Sequence, residues 1–429
     1  MKKYDEYKDS GVAWIGEVPK HWEVLHLKHS LDGLQDGTHG TYASVDAGKV
    51  LLSAKNVTEH GLIIGESERT ISDIDHKEIV SNGFPQQGDI LLCCVGTLGR
   101  CCIFEYPFPI AFQRSVTFLR TNSLLSNRML LYILRNKYID TQFQLFAKTS
   151  AQSGVYMGDL KDFYIVVPPI TEQVAIAAYL DTHCAKIDNL ISIQQKRIAL
   201  LQELKQSVIT HAVTKGLNPN VEMKQSGVEW IGDVPKHWKV LRGKYALSIL
   251  SGFPFDSQKF EFEDNGVYMP LIRIRDINGS STEVYYSGSY PIESVVKTGE
   301  VLIGMDGDFN ISKWKGTNAL LNQRVCKLRE DSSMNTHYAF YMLSSPLKAI
   351  NSVTYATTVK HLSVYDIYNA FIPVPPISEQ TAIASYLDHK CATIDTSISN
   401  AQHQIELLQE YKQSLITEVV TGKRKVTDN

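Results

Sequence analysis

Apolar residues recur at steps of three and four in two widely separated stretches of the chain. The first runs through Ile187, Ile191, Gln194, Ile198, Leu201, Leu204 and Val208, and the second through Ile394, Ile398, Ala401, Ile405, Leu408, Tyr411 and Leu415. Such spacing lays a stripe along one helix face and reads as a heptad seam. Each stretch follows a Pro-Pro pair, Pro168-Pro169 or Pro375-Pro376, which blocks regular continuation of what precedes it. Thr171 and Ser378 are the expected N-caps, with Glu172 and Glu379 set favourably against the helix dipole. Gly216, backed by Asn218-Pro219, stops the first helix, and the second fades near Gly422. Unbroken, roughly 40 residues from Thr171 span about 60 Å. Two such seams in one chain can bury each other as an antiparallel pair, giving a spacer of defined length. The alternative is that each helix covers only its own domain.

Outside these stretches the pattern changes to short apolar runs bounded by glycine turns. Strands are expected at Ile63-Ile64, Ile90–Val95, Ser115–Leu119 and Ile165–Val167, with counterparts at Val301–Ile303 and Val325–Leu328. Short helices are expected around Leu124–Arg135 and Thr336–Leu343, where apolar residues return at steps of three or four. The fold class expected is α+β: two strand-rich mixed domains separated by an antiparallel pair of long, coiled-coil-like helices.

The two halves are related. SGVAWIGEVPKHWEVLHLK at 10–28 matches SGVEWIGDVPKHWKVLRGK at 226–244, and the stretch from VPPITEQ at 167 matches that from VPPISEQ at 374. Between these frames little is shared beyond Gly88-Asp89-Ile90-Leu91 with Gly299-Glu300-Val301-Leu302, and Gln113-Arg114 with Gln323-Arg324. An internal repeat of this kind implies a pseudo-two-fold plan with expected divisions at 1–168, 169–216, 217–375, 376–422 and a tail 423–429. A duplicated frame with divergent inserts suggests one holding task done twice and two different ligand specificities. Neutral drift of surface loops is the competing account.

Charge adds little, because the net value is −3 and a nucleic-acid groove needs only a local positive patch. The seven cysteines have no CxxC spacing, which favours a reducing compartment. No stretch is long and apolar enough to suggest a membrane span, and the start of the chain does not read as a signal peptide. Cys93, Cys94, Cys101 and Cys102 are poor zinc ligands, because adjacent strand residues point to opposite faces. No phosphate-loop or HExxH motif is present, and Val-Pro-Pro-Ile lacks the Asn or Asp that an amino-methyltransferase motif needs. No catalytic and no metal-ligating residues emerge. Basic and polar residues do collect in loop-like places: Asp36-Gly37-Thr38-His39, Arg100 beside Gly99, Arg114, Lys313 and Lys315 around Trp314, and Arg324. Alternation over Leu271–Arg275 puts Arg273 and Arg275 on one strand face, able to meet base edges or phosphates. A solvated sheet face would look the same.

The repeated Trp-Ile-Gly-x-Val-Pro-Lys-His-Trp openings, Pro-Pro-Ile-[Thr/Ser]-Glu-Gln junctions, Tyr-Leu-Asp and Ile-Asp segments and Leu-Leu-Gln-Glu tracts resemble, over essentially the whole chain, the specificity subunit of type I restriction-modification systems. That resemblance implies two target recognition domains, each reading one half of a split double-stranded DNA site, with the helix pair setting the gap. It implies no catalysis and no cofactor in this chain. Its partners would be two methyltransferase subunits using S-adenosylmethionine to modify adenine, and motor-nuclease restriction subunits using ATP and magnesium, in a bacterial or archaeal cytoplasm. Whether restriction subunits join at all depends on neighbours the sequence does not show. The family's loop pattern falls at Asp36, Gly37, Thr38 and His39, and its basic positions after the loop at Lys55 with Asn56 and at Arg275 with Asp276. The first domain has no proline soon after His39, and the second has Ser251-Gly252-Phe253 in place of Asp-Gly-x-His. The rival classes are a scaffold that binds no DNA and an enzyme with an unrecognised centre.

Overall fold

The computed structural model describes residues 2–147, 154–353 and 361–426. Two compact units emerge: Met1–Gln195 with His403–Asn429, and Lys196–Gln402. The divisions fall inside two long helices, Ile170–Lys215 and Ile377–Val420, so each unit holds the start of one and the end of the other.

Each unit is built on the same four-stranded antiparallel sheet. In the first unit the order is Cys101–Ile103, Ile90–Cys93, Val116–Thr121, Leu31–Asp36; in the second it is Ile311–Lys313, Val301–Gly304, Val325–Arg329, Ser248–Ser251. The central strands are buried throughout because both sheet faces are covered. Side chains alternate across a strand, so Ile90 and Leu92 enter one core while Leu91 and Cys93 enter another. Likewise Val301 and Ile303 part from Leu302. One core in each unit includes the long helices; the other lies under the variable loops. A second, mixed sheet carries a parallel pair in both units, Ala111↔Leu51 and Leu271↔Leu320.

The predicted strand at Ile63-Ile64 does not form. Pairing ends at Gly61–Leu62, and both isoleucines are exposed, since a two-residue apolar run carries no period. The cysteine pairs divide between opposite sheet faces: Cys94 and Cys101 lie in one core, Cys93 and Cys102 in the other, and all seven cysteines are free and buried. Burial pushes the thiols of Cys94 and Cys102 up to about 12.

The repeated motifs hold the frame. The Trp22 indole N–H donates to Glu172 at 3.2 Å and His21 Nε2 meets the other carboxylate oxygen at 2.6 Å. Trp238 and His237 meet Glu379 at 2.9 and 2.7 Å. The buried Gln173 accepts from the Ser126 N–H and donates to the Leu124 and Pro168 carbonyls; Gln380 does the same with Asn335, Ser333 and Pro375. Thr171 and Ser378 are not the caps, because each helix begins one residue earlier, at Ile170 or Ile377, with Pro169 and Pro376 carbonyls accepting the first bonds. At the far ends Gly216 (φ +74°) and Gly422 (φ +70°) take the left-handed conformation against Trp238 and Trp22, where an added Cβ would come within 3.1 Å of each indole.

Within the first unit the helix segments run antiparallel, with Asp188 bonded to Lys412 at 2.7 Å and Tyr179 meeting Arg424. Ile187 is buried, and Ile191 and Leu408 are packed against the same core as the buried Leu415. In the second unit Asp395 meets Lys205 at 2.7 Å, Ile394 is buried, and Val208 packs against the core. Ile198, Leu201, Ile398 and Ile405 are half-buried. Leu204 leaves the seam: it is 50% exposed, as is Tyr411. Continuing the alternation from Leu201 by four places Lys205, and from Leu408 places Lys412. A count of apolar residues skips both lysines, although their stems lie in the seam and their ammonium groups are ion-paired.

Candidate nucleic-acid interface

In the first unit the expected reading residues come from four separate stretches, and backbone bonds gather them. The Gly37 N–H donates to the Val116 carbonyl at 2.9 Å, Thr38 to Phe112 at 2.7 Å and Arg114 to Thr38 at 2.9 Å. The Ala54 N–H donates to the Ser115 hydroxyl at 3.1 Å, and the Arg100 guanidinium donates to the Ala54 carbonyl at 2.6 Å. Gly37 is required by this closeness: a Cβ there would lie 2.3 Å from the Gln113 carbonyl oxygen. The loop borders a pocket of about 230 Å³ that also touches Gln35, Phe84 and Phe112.

The side chains differ in what they can offer. Asp36 is largely covered, accepts from the Thr117 hydroxyl at 2.5 Å and lies 3.7 Å from the exposed His39. Asn56 is buried and its amide closes its own loop, accepting from Ser53 N–H and donating to the Ile63 carbonyl. Its role is therefore to shape the loop. Lys55 is 64% exposed, with its ammonium 2.7 Å from Glu68. Arg114 is exposed.

In the second unit the same backbone plan carries other residues. The Gly252 N–H donates to Val325 at 2.9 Å and Phe253 to Leu321 at 2.9 Å, and a Cβ on Gly252 would lie 1.9 Å from the Asn322 carbonyl oxygen. Ser251-Gly252-Phe253 thus makes the corner that Asp36-Gly37-Thr38 makes in the first. The Arg273 N–H donates to Asp276 at 2.8 Å, as Ser53 does to Asn56 at 2.9 Å, so Arg275 occupies the place of Lys55.

The expected strand face is not there. The strand ends at Ile272, and Arg273 and Arg275 stand on the turn that follows, because the Asp276 side chain captures the Arg273 N–H and turns the backbone. Both arginines still converge, at 3.2 and 3.4 Å, on Glu283. Arg324 adjoins them through Asn322, whose N–H donates to Ile272, and pairs with Asp306 at 3.2 Å beside His361. Lys313 is elsewhere: its ammonium is 2.9 Å from Asp388 of the second long helix and faces the Phe340 and Tyr341 rings. Lys315 is exposed beside the buried Trp314. The sequence reading missed Glu68, Glu283 and Asp306; only the positions of their basic partners were visible beforehand.

The exposed cations and hydroxyl groups of these loops can pair with anionic groups and donate to hydrogen-bond acceptors. Among the described residues no group of His, Cys, Asp or Glu is placed to hold a metal, and no helix is long and apolar enough to cross a membrane. The two loop clusters share one backbone corner and carry different polar side chains. The chain belongs to the family described as the type I restriction modification DNA specificity domain, whose model matches residues 66–203 and 236–407. It is a specificity subunit, and sequence-specific DNA recognition is its task.

It is 34% identical over 203 residues to the type I restriction enzyme EcoBI specificity subunit of Escherichia coli, covering 47% of this chain and 42% of that one. It is 26% identical to the putative MjaX specificity subunit of Methanocaldococcus jannaschii, covering 96% of each. The chain thus spans less than half of the first relative and nearly all of the second. A solved chain from a type I R-M system, described with that system's complex assembly and conformational transition, shares the fold: TM-score 0.71, 16% identity, covering 95% of this chain and 99% of that one.

Proposed function

We propose that this chain, within a type I restriction-modification complex, reads a bipartite target with one domain per half-site. Residues 1–168 and 217–375 are the two target recognition domains, and the long helices at 169–216 and 376–422 set the unread gap between half-sites. The bases are read in duplex DNA by Thr38, His39, Lys55, Arg100 and Arg114 in the first domain and by Arg273, Arg275 and Arg324 in the second, with Asp36 and Asn56 shaping the first loop. Phosphate contacts position the heads, and contacts to base edges supply the discrimination.

The observation that carries this reading is the repeated corner at Gly37 and Gly252, which presents unlike side chains on like backbone. The repeated frame serves two equivalent partners. These are methyltransferase subunits, which bring S-adenosylmethionine and the pocket for the target adenine; restriction subunits bring ATP and magnesium. No chemical step falls to this chain. The site of action is the cytoplasm.

Mapping methylated adenines in DNA modified by the reconstituted complex tests the proposal. A split motif with a fixed gap is expected. Methylation without a motif, or with a single uninterrupted one, would overturn it.

A further inference from the structure

In both units a carboxylate from the segment that follows meets the exposed basic residue of the reading loop, and in the second unit it is shared with Arg273 at 3.2 Å. Lys55 meets Glu68 at 2.7 Å, and Arg275 meets Glu283 at 3.4 Å. The two acids come from unlike sequence and different loop lengths, yet each finds the same structural position. Glu68 is fixed from several sides: besides Lys55 it takes the Gly65 N–H at 3.4 Å, and only 11% of its side chain is exposed. The Lys55 ammonium first, then the Asn56 side chain and Gly65 N–H, hold the Glu68 carboxyl below its ordinary range, so it is ionised at neutral pH. Both cations remain 64% exposed, so the carboxylate takes part of their donor capacity and leaves the rest facing outward.

A bare lysine or arginine on a DNA face attracts any phosphate and strengthens binding to every sequence. A neighbouring carboxylate cancels that attraction and repels the backbone, while a positioned donor can still bond a base edge. We propose that Glu68 and Glu283 are specificity-determining positioning residues, which restrain Lys55 and Arg275 from general phosphate binding and aim them at bases. This rests on the reading of these loops as the DNA face.

The test uses the full chain assembled with its methyltransferase subunits. Binding is measured against salt for a duplex carrying the methylation-mapped target and for one of equal length lacking it. Freeing one cation for one phosphate should steepen the salt slope on non-target DNA by about 0.9, equivalent at 0.1 M salt to about eightfold relative to 1 M. Glu68→Gln should therefore tighten non-target binding several-fold, tighten target binding less, and lower the ratio between them. Glu283→Gln should act in the same direction, with the loss of discrimination confined to the other half-site. Adding Lys55→Gln to Glu68→Gln should remove the gain.

A double variant that keeps the gain overturns the proposal, as does an equal weakening of both duplexes by Glu68→Gln. If Lys55→Gln weakens target binding while Glu68→Gln alters neither slope nor ratio, the proposal alone fails. If Lys55→Gln leaves target binding unchanged, the reading of this loop as part of the DNA face fails with it.

Discussion

The two units hold their long helices with the same kinds of side chain and carry different ones on the loops at Gly37 and Gly252. Glu172 and Glu379, Gln173 and Gln380, and Asp181 and Asp388 each repeat the same partners: an indole and an imidazole, a backbone N–H with two carbonyls, and a tyrosine hydroxyl. On the loop side Asp36-Gly37-Thr38 corresponds to Ser251-Gly252-Phe253, and only the glycine is common. The difference teaches what duplication constrained. The Gln173 and Gln380 amides are fully buried and fully bonded, so replacing either strands its backbone partners, whereas exposed loop side chains can differ once the backbone corner is secured.

The largest effect expected in testing this comparison lies in the frame. Gln173→Ala strands the Ser126 N–H and the Leu124 and Pro168 carbonyls, all previously bonded, and should cost about 3 kcal/mol. Gln380→Ala should cost about the same, because its partners match one for one. Denaturant unfolding of the two variants checks this. A cost more than about 2 kcal/mol apart would break the claim that the holders are equivalent.

Next come the loop corners. Alanine at Gly37 or Gly252 drives a Cβ to 2.3 or 1.9 Å from a backbone carbonyl, so the loop must shift, at about 2 kcal/mol. Each substitution should erase discrimination at its own half-site and spare the other, as read from methylation of DNA libraries. If Gly252→Ala left its half-site intact, the two corners would not be equivalent.

Arg275 and Lys313 divide the second unit more finely. Arg275→Ala should weaken recognition of one half-site by about 1–3 kcal/mol, since Arg275 stands exposed beside the corner. A uniform loss on unrelated DNA would mark a phosphate contact instead. Lys313→Ala should lower stability by about 1 kcal/mol and leave the DNA preference alone, because its charge is held by Asp388.

Much of the frame was legible because helical period, Pro-Pro boundaries and the repeat are local signals. Both long helices, the central strands at Ile90 and Val301 and the stop at Gly216 follow from them. The loops at Gly37 and Gly252 were less legible, since their side chains are ordered by backbone bonds between distant stretches. Arg273 and Arg275 alternate like a strand, yet the Asp276 carboxylate turns the chain at that point. The resemblance placed Ser251-Gly252-Phe253 opposite the Asp-Gly-x-His pattern, but the closeness of the Asn322 carbonyl that requires glycine there comes from a distant stretch and leaves no local signal. Glu68 and Glu283 were invisible for the same reason: an acid ten or so residues away has no period that ties it to a base.

The smallest effect concerns the lysines hidden in the seam. Lys412 with Asp188, and Lys205 with Asp395, are related by the repeat and both bond at 2.7 Å, but their surroundings differ. Side-chain exposure is 17% and 33% for the first pair against 32% and 54% for the second. Screening by water weakens an ion pair, so a double-mutant cycle to alanine should give about 1 kcal/mol of coupling for the first and roughly half that for the second. Raising the salt should reduce the second coupling more than the first. Equal couplings with equal salt dependence would mean that burial does not separate the pairs, and that the two halves of the seam are energetic copies as well as structural ones.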